Sequence, residues 1–205
     1  MPTVTDIIIQ SKNIDRANLY LDGEFCCGIS RMVLATNNIK VGTEIDDTRL
    51  GELVFESEKD KAFNYALSYI SRYTPTTKGM RNKLYEKGYN TRIVNYVIDK
   101  ATGYGYLNDE EWARCYVEFN KVVKGTSRIR QELLAKGISR DIVDKVLVGV
   151  ESDDDKVLDL AVKHSKGQDL DDPKYIARLV RFLQYRGFGG DIIWSTIDKL
   201  KTMRD

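Results

Sequence analysis

A chain of 205 residues with 42% apolar and 31% charged side chains suits one or two compact domains or a short array of repeats better than one large spherical core. No apolar run reaches the ~18 residues of a membrane-spanning helix, and the opening MPTVTDIIIQSKN has neither the basic nor the long apolar part of a secretory signal. The cysteines, Cys26, Cys27 and Cys115, are odd in number and form no CxxC pair, which argues against a disulfide framework or a zinc site and for the reducing cytoplasm.

The net charge of +1 is unevenly spread. Residues 1–52 hold 5 basic against 8 acidic side chains, residues 53–140 hold 16 against 10, and residues 141–205 hold 11 against 13. A basic middle between mildly acidic ends points to an anionic partner, either nucleic acid or an acidic protein surface. The plainer alternative is ordinary decoration of solvated helices.

The β-branched stretch Val4–Gln10 reads as a strand, and residues 19–27 read as a hairpin whose Asp22-Gly23 pair suits a type I′ turn. Residues 32–35 fit a short helix, and Asp46-Asp47-Thr48 a helix start. From about residue 56 the apolar period becomes helical, with Phe63, Ala66, Leu67 and Ile70 on one face. Thr74-Pro75 interrupts it, Thr76 is placed to cap a helix bearing Met80, Leu84 and Tyr85, and Gly88 ends that helix. Ile93, Val94, Val97, Ile98 and Ala101 mark a third helix ending near Gly103.

This pattern recurs. Leu84, Lys87, Gly88, Ile93 and Val94 match Leu133, Lys136, Gly137, Ile142 and Val143, then Leu183, Arg186, Gly187, Ile192 and Ile193. Each copy has an upstream helix, over residues 63–72, 112–123 and 157–166, so the unit is a trio of helices that leans on its neighbours. Asn108 through Glu111 resembles a capping box, and residues 151–155 form an acidic linker into the third copy.

Candidate chemistry is sparse. The single histidine, His164, sits at the edge of an apolar helix face and reads as a packing or surface residue. Cys115 reads as a core residue with Trp112 and Phe119, and the adjacent Cys26 and Cys27 as one inward and one outward strand position. No Gly-Lys-Ser/Thr follows the glycine pairs, and the carboxylates cluster at helix starts, where capping explains them. No catalytic set, metal site or cofactor is expected, and the chain is not expected to be an enzyme.

What remains is a binding surface. Nine tyrosines from Tyr65 to Tyr116 crowd the basic zone, where the residue type suits half-wet packing, interfaces and base stacking alike. The candidate partner-binding residues are Arg72, Lys78, Arg81, Lys83 and Lys87 in the first repeat, and Arg114, Tyr116, Lys121, Lys124, Arg128 and Arg130 in the second. Arg128 and Arg130 cannot both face the core with Ile129 and Leu133, so part of this group is exposed.

Residues 105–113 (GYLNDEEWA), Tyr116-Val117, Lys124-Gly125, residues 128–133 (RIRQEL) and Lys136-Gly137-Ile138 together resemble the central signature of the RecX family. Ala66-Leu67, Leu84, Lys87-Gly88-Tyr89, Phe182-Leu183 and Arg186-Gly187-Phe188 fit the same family, and the likeness spans about residues 60–200. Gly79 departs from it, standing where a helix former is usual, as does the Gly189-Gly190 pair. The resemblance implies a mainly α fold: three tandem three-helix repeats in an elongated curved array, after a small β-hairpin-containing N-terminal module. The expected boundaries are 1–55, 56–107, 108–151 and 152–205. It further implies binding in the helical groove of the RecA–single-stranded DNA filament, with inhibition of ATPase and strand exchange; the chain is also expected to be a cytoplasmic monomer without membrane contact. Weak contact with single-stranded DNA is a secondary expectation. The competing reading is a direct DNA binder whose helix pairs act as helix-turn-helix units.

Overall fold

The computed structural model of the chain describes residues 1–150 and 153–203. Three antiparallel strands, β1 (Val4–Gln10), β2 (Asn13–Leu21) and β3 (Glu24–Ser30), pair in the order β1-β2-β3. The expected hairpin is thus two strands of three, because residues 13–18 extend β2 back along β1. Asp22 and Gly23 both adopt positive φ, 49° and 87°, as a type I′ turn requires. One face of the sheet buries Val4, Ala17, Leu19 and Ile29 with Leu34 of α1 (Arg31–Thr36), with Ile39 and Ile45, and with Leu53 of α2 (Asp47–Ile70).

Helix α2 is 24 residues long, about 36 Å at 1.5 Å per residue. The Asp46 carboxylate caps it by accepting from Arg49 N–H at 2.7 Å. Its first half packs on the sheet. Its second half brings Ala62, Phe63 and Ala66 into another core with α3 (Thr77–Glu86) and α4 (Thr91–Gly103). One helix therefore serves two cores, and Glu58 ties it to β2 through a 2.6 Å ion pair with Arg16.

Helices α5 (Asp109–Asn120), α6 (Thr126–Ala135) and α7 (Arg140–Leu147) enclose a core of Ala113, Val117, Ile129, Leu133, Ile138 and Val143. Helices α8 (Asp153–His164), α9 (Pro173–Tyr185) and α10 (Gly190–Thr202) enclose Val157, Ala161, Leu179, Leu183, Phe188 and Ile193. The first two residues of the expected acidic linker, Glu151 and Ser152, lie outside the described residues.

The repeated Leu/Lys-Gly motif is a helix stop of one geometry. Gly88, Gly137 and Gly187 take φ of 86°, 89° and 88°. In each copy the N–H after the glycine donates to the leucine carbonyl five residues back: Tyr89 to Leu84, Ile138 to Leu133 and Phe188 to Leu183. The glycine N–H donates three residues back, which completes a Schellman turn. The residue after the glycine then covers the end of its own core, which explains the apolar Tyr, Ile or Phe at that position.

The chain divides into two compact units, one of residues 1–74 and 80–107, the other of residues 75–79 and 108–205. Within the second unit one junction occurs twice. The Thr76 hydroxyl donates to the Lys136 carbonyl at 2.9 Å, Thr77 N–H donates to the Asp109 carboxylate at 2.8 Å, and the Lys78 side chain lies against Gly137. Correspondingly, Gly125 N–H donates to the Arg186 carbonyl at 2.8 Å, Thr126 N–H donates to the Asp153 carboxylate at 3.0 Å, and Arg128 lies against Gly187. Asp109 and Asp153 thus satisfy N–H groups at the start of the preceding middle helix. Helix α9 instead takes its cap from its own Asp172, which accepts from Lys174 N–H at 2.9 Å.

Candidate functional site

The predicted cations divide into two kinds of surroundings. From the end of α2 through α4, carboxylates are scarce: residues 72–104 hold seven Lys or Arg and two acids, Glu86 and Asp99. Arg72 is exposed beyond the end of α2. Arg81 donates to the Asn95 side chain, a neutral partner. Lys83 pairs with Glu86 at 2.7 Å and stands 5.9 Å from the Tyr69 ring centre. Lys87 stands 5.3 Å from that of Tyr65. Lys78 is the exception, since its ammonium donates to the Ala135 carbonyl at the junction.

In the α5–α7 unit, most predicted cations already face carboxylates. Arg114 holds Glu110 at 2.6 Å, Lys121 holds Glu118 at 2.8 Å, and Arg130 holds Asp144. Lys124, Arg128 and Tyr116 converge on one residue, Glu132. The Lys124 ammonium donates at 2.7 Å, Arg128 Nε at 2.9 Å and the Tyr116 hydroxyl at 2.6 Å. Partial burial alone would raise the Glu132 pKa, but these three donors outweigh it and hold the carboxyl at about 2. Lys124 is correspondingly raised against its own partial burial. The network ties α5 to α6 and leaves a surface closer to neutral than the count of basic residues implies. Its acceptor was legible: Glu132 stands four residues after Arg128 on one helix.

Two expectations fail on helix α5. Its buried face is Ala113 and Val117, flanked by Trp112 and Tyr116, whose rings stack 5.1 Å apart. Cys115 is exposed rather than core, and Phe119 is 85% exposed. With 100° between successive residues, a face centred on 113 and 117 excludes 115 and 119. Cys27 packs against the sheet core with Leu19 and Ile29 while Cys26 is not among the residues packed there, the alternation expected of a strand, and burial pushes the Cys27 thiol up to about 12. His164 is exposed, and its Nδ1 lies 3.1 Å from the Tyr175 hydroxyl.

Among the described residues, no group of three or more His, Cys, Asp or Glu side chains is arranged to hold a metal ion. No described helix is long and apolar enough to cross a membrane. Sequence reasoning assigned Asp109 and Asp153 to the starts of their own helices. It missed that they also cap the preceding middle helix, a role that only the stacking of repeats reveals.

The family model for the regulatory protein RecX N-terminal domain matches residues 2–46. Models for the first, second and third three-helix domains of RecX match residues 62–100, 108–147 and 151–197. Regulatory protein RecX of Bacillus subtilis (strain 168) is 32% identical over 212 residues, spanning all of this chain and 80% of its own length. That of Clostridium botulinum (strain Alaska E43 / Type E3) is 30% identical, over 96% of this chain and 95% of its own. The crystal structure of RecX from Lactobacillus salivarius, 26% identical, superposes with a TM-score of 0.61 over 71% of this chain and 97% of its own. A crystal structure of regulatory protein RecX, 24% identical, shares the fold over 97% of this chain and 100% of its own, with a TM-score of 0.63. An N-terminal sheet followed by three consecutive three-helix domains, with kinship along the whole chain, places this protein in the RecX family of regulatory proteins.

Proposed function

We propose that this chain binds the assembled RecA–single-stranded DNA filament in its helical groove and restrains ATP hydrolysis and strand exchange. It acts in the cytoplasm as a monomer built of modules 1–55, 56–107, 108–151 and 152–205. The observation that carries this reading is the uneven neutralisation of the basic zone. Among the described residues, Arg72, Arg81 and Lys87 pair with no carboxylate, whereas the cations of α5, α6 and the loop between them hold Glu110, Glu118, Glu132 and Asp144. Unneutralised charge steers association with an anionic polymer and sets the register on it. Charge already satisfied within the fold mainly stabilises the fold. Restraint requires no bond chemistry: a ligand that binds one filament state more tightly shifts the population towards that state.

The test is ATP hydrolysis by RecA on single-stranded DNA, with the full chain added at ratios up to a large excess. Hydrolysis falls as the chain is added, and the combined variant Arg72→Glu, Arg81→Glu, Lys87→Glu requires several-fold more protein for the same effect. The variant Arg114→Glu, Arg130→Glu shifts it less. Unchanged hydrolysis at large excess overturns the proposal. Equal loss from both variants overturns the assignment of the face.

A further inference from the structure

The junction that occurs twice between repeats has a receiving side and an arriving side. The receiving side is a helix stop, Lys136-Gly137 or Arg186-Gly187, whose basic residue offers its carbonyl, together with a carboxylate, Asp109 or Asp153, that accepts an N–H. The arriving side is the start of α3 or α6, with Lys78 or Arg128 laid over the glycine. The first repeat follows the sheet instead of another trio of helices, and its own stop, Lys87-Gly88, receives no helix start from this chain. A Cβ on Gly88 meets nothing within 4 Å, and among the described residues nothing donates to the Lys87 carbonyl.

The carboxylate is present at this stop as well. A cleft of about 340 Å3 at Gly88 is also lined by Arg16, Glu58, Lys61 and Lys87. Glu58 stands 30 residues before its glycine, between the 28 of Asp109 and the 34 of Asp153. It pairs with Lys61, three residues on, at 3.6 Å, as Asp153 pairs with Lys156 at 3.7 Å. Asp153 still accepts from Thr126 N–H at 3.0 Å, so a flanking cation does not prevent the contact. Glu58 Oε1 is buried and accepts no hydrogen bond from any described residue. Arg16 Nη2 lies 2.6 Å away, but no N–H of Arg16 points at that oxygen, and Nη2 donates to the Gly28 carbonyl at 2.7 Å. All of these residues belong to the first compact unit.

We propose that Gly88, the Lys87 carbonyl and Glu58 form a seat for the start of an α-helix presented by the filament protein, with a Lys or Arg in its first turn. This rests on the filament reading and adds the element that the first unit grips. The two covered seats define the occupant. A helix start brings N–H groups that have no partner in their own helix, which suit the Glu58 carboxylate, and its positive dipole end suits the same charge. Its N-cap supplies the donor to the carbonyl, as Thr76 and Gly125 do, and its basic side chain covers the glycine, as Lys78 and Arg128 do. A second copy of this chain offers no such start in its middle helices: those of α3 and α6 are engaged in their own junctions, and that of α9 is capped by Asp172. Glu58 also distinguishes a helix start from a phosphate, since its charge attracts the first and repels the second.

The test is the affinity of the full chain for RecA assembled on single-stranded DNA, read by co-sedimentation at one salt concentration. Asparagine tolerates positive φ, so Gly88→Asn keeps the turn and places a side chain where the arriving helix lies. It lowers affinity about tenfold or more, the loss of one central contact. Gly42→Asn makes the same change at another open glycine, with φ of 89° and nothing within 4 Å of its Cβ, and stays within about twofold. Glu58→Gln, of equal size, lowers affinity about fivefold, the difference between a charged and a neutral hydrogen bond. Circular dichroism and urea denaturation check that all three variants are folded. Unchanged affinity of Gly88→Asn overturns the seat and leaves the filament reading intact. So does a Glu58→Gln affinity equal to or above that of the parent, the outcome expected of a phosphate in the cleft. Absent binding by the parent chain overturns both.

Discussion

Replacing each of the three repeated glycines by alanine separates the cost of the turn from the cost of the junction. Gly88, Gly137 and Gly187 share one backbone conformation, with φ between 86° and 89°. Any L side chain there carries a left-handed penalty of about 1–2 kcal/mol. Their surroundings differ. A Cβ on Gly88 meets nothing within 4 Å. On Gly137 it meets the Lys78 side chain at 2.5 Å. On Gly187 it meets Arg128 Cβ at 2.2 Å and Arg128 N and Cα at 2.7 and 2.9 Å, atoms fixed by the start of α6. Lys78 beyond its Cβ can rotate, but helix α6 can yield only by moving as a body. Overpacking of that kind costs about 1–3 kcal/mol more. The expected losses are therefore about 1–2 kcal/mol for Gly88→Ala, an intermediate value for Gly137→Ala, and about 2–5 kcal/mol for Gly187→Ala. Urea denaturation followed by far-UV circular dichroism measures them, and in thermal melts each kcal/mol corresponds to about 2–4 °C for a chain of this size. Equal losses at Gly88 and Gly187 would refute the reasoning, because the backbone penalty alone would then account for both.

The Glu132 network makes stability depend on acid. A carboxyl near pKa 2 when folded, against about 4.3 in an unfolded chain, contributes stability that is complete above the unfolded value and is lost as pH falls towards 2. Glu132→Gln should cost about 1–3 kcal/mol at neutral pH and flatten the stability profile between about pH 5 and 2; a variant profile parallel to that of the parent would contradict the network. Thiol titration tests the cysteine positions. Cys115 is exposed and should react rapidly with a disulfide reagent at neutral pH, whereas Cys27, with its pKa pushed up to about 12, should react far more slowly until the chain is unfolded. Slow reaction at Cys115 would restore the core position that its sequence neighbours suggested.

The repeating unit was legible because its signals are local. A leucine, a basic residue, a glycine and then an apolar residue constitute one Schellman turn, and every hydrogen bond of that turn closes within six residues. The Asp22-Gly23 turn, the Asp46 cap and the Asn108 cap are local in the same sense. The face of α5 was misjudged because Trp112, Cys115 and Phe119 also recur at helical spacing. Periodicity ranks stripes by apolarity, and the two alternative stripes here differ by only part of a turn. Small Ala113 packs more closely into its core than Phe119 does, and only packing decides between them.

The candidate surface was legible as composition and not as geometry. The sequence lists basic residues without saying which of them already hold a carboxylate. Arg128 meets Glu132 four residues away, yet Lys124, Arg128 and Tyr116 sharing a single carboxylate requires α5 and α6 to be packed. Likewise, Lys83 and Lys87, at and just beyond the end of α3, meet the Tyr69 and Tyr65 rings of α2 only when the two helices pack.

By itself, then, the sequence determined the family, the alternation of helices and stops, and the three uses of one unit, since these depend on interactions between residues a few positions apart. The tertiary structure alone decided which charges remain unneutralised, which face of α5 is buried, and that Asp109 and Asp153 satisfy the preceding repeat. The physical reason is distance along the chain: Thr77 and Asp109 are 32 residues apart, and Thr126 and Asp153 are 27. Contacts over such separations form only when neighbouring units stack, and no local propensity encodes them.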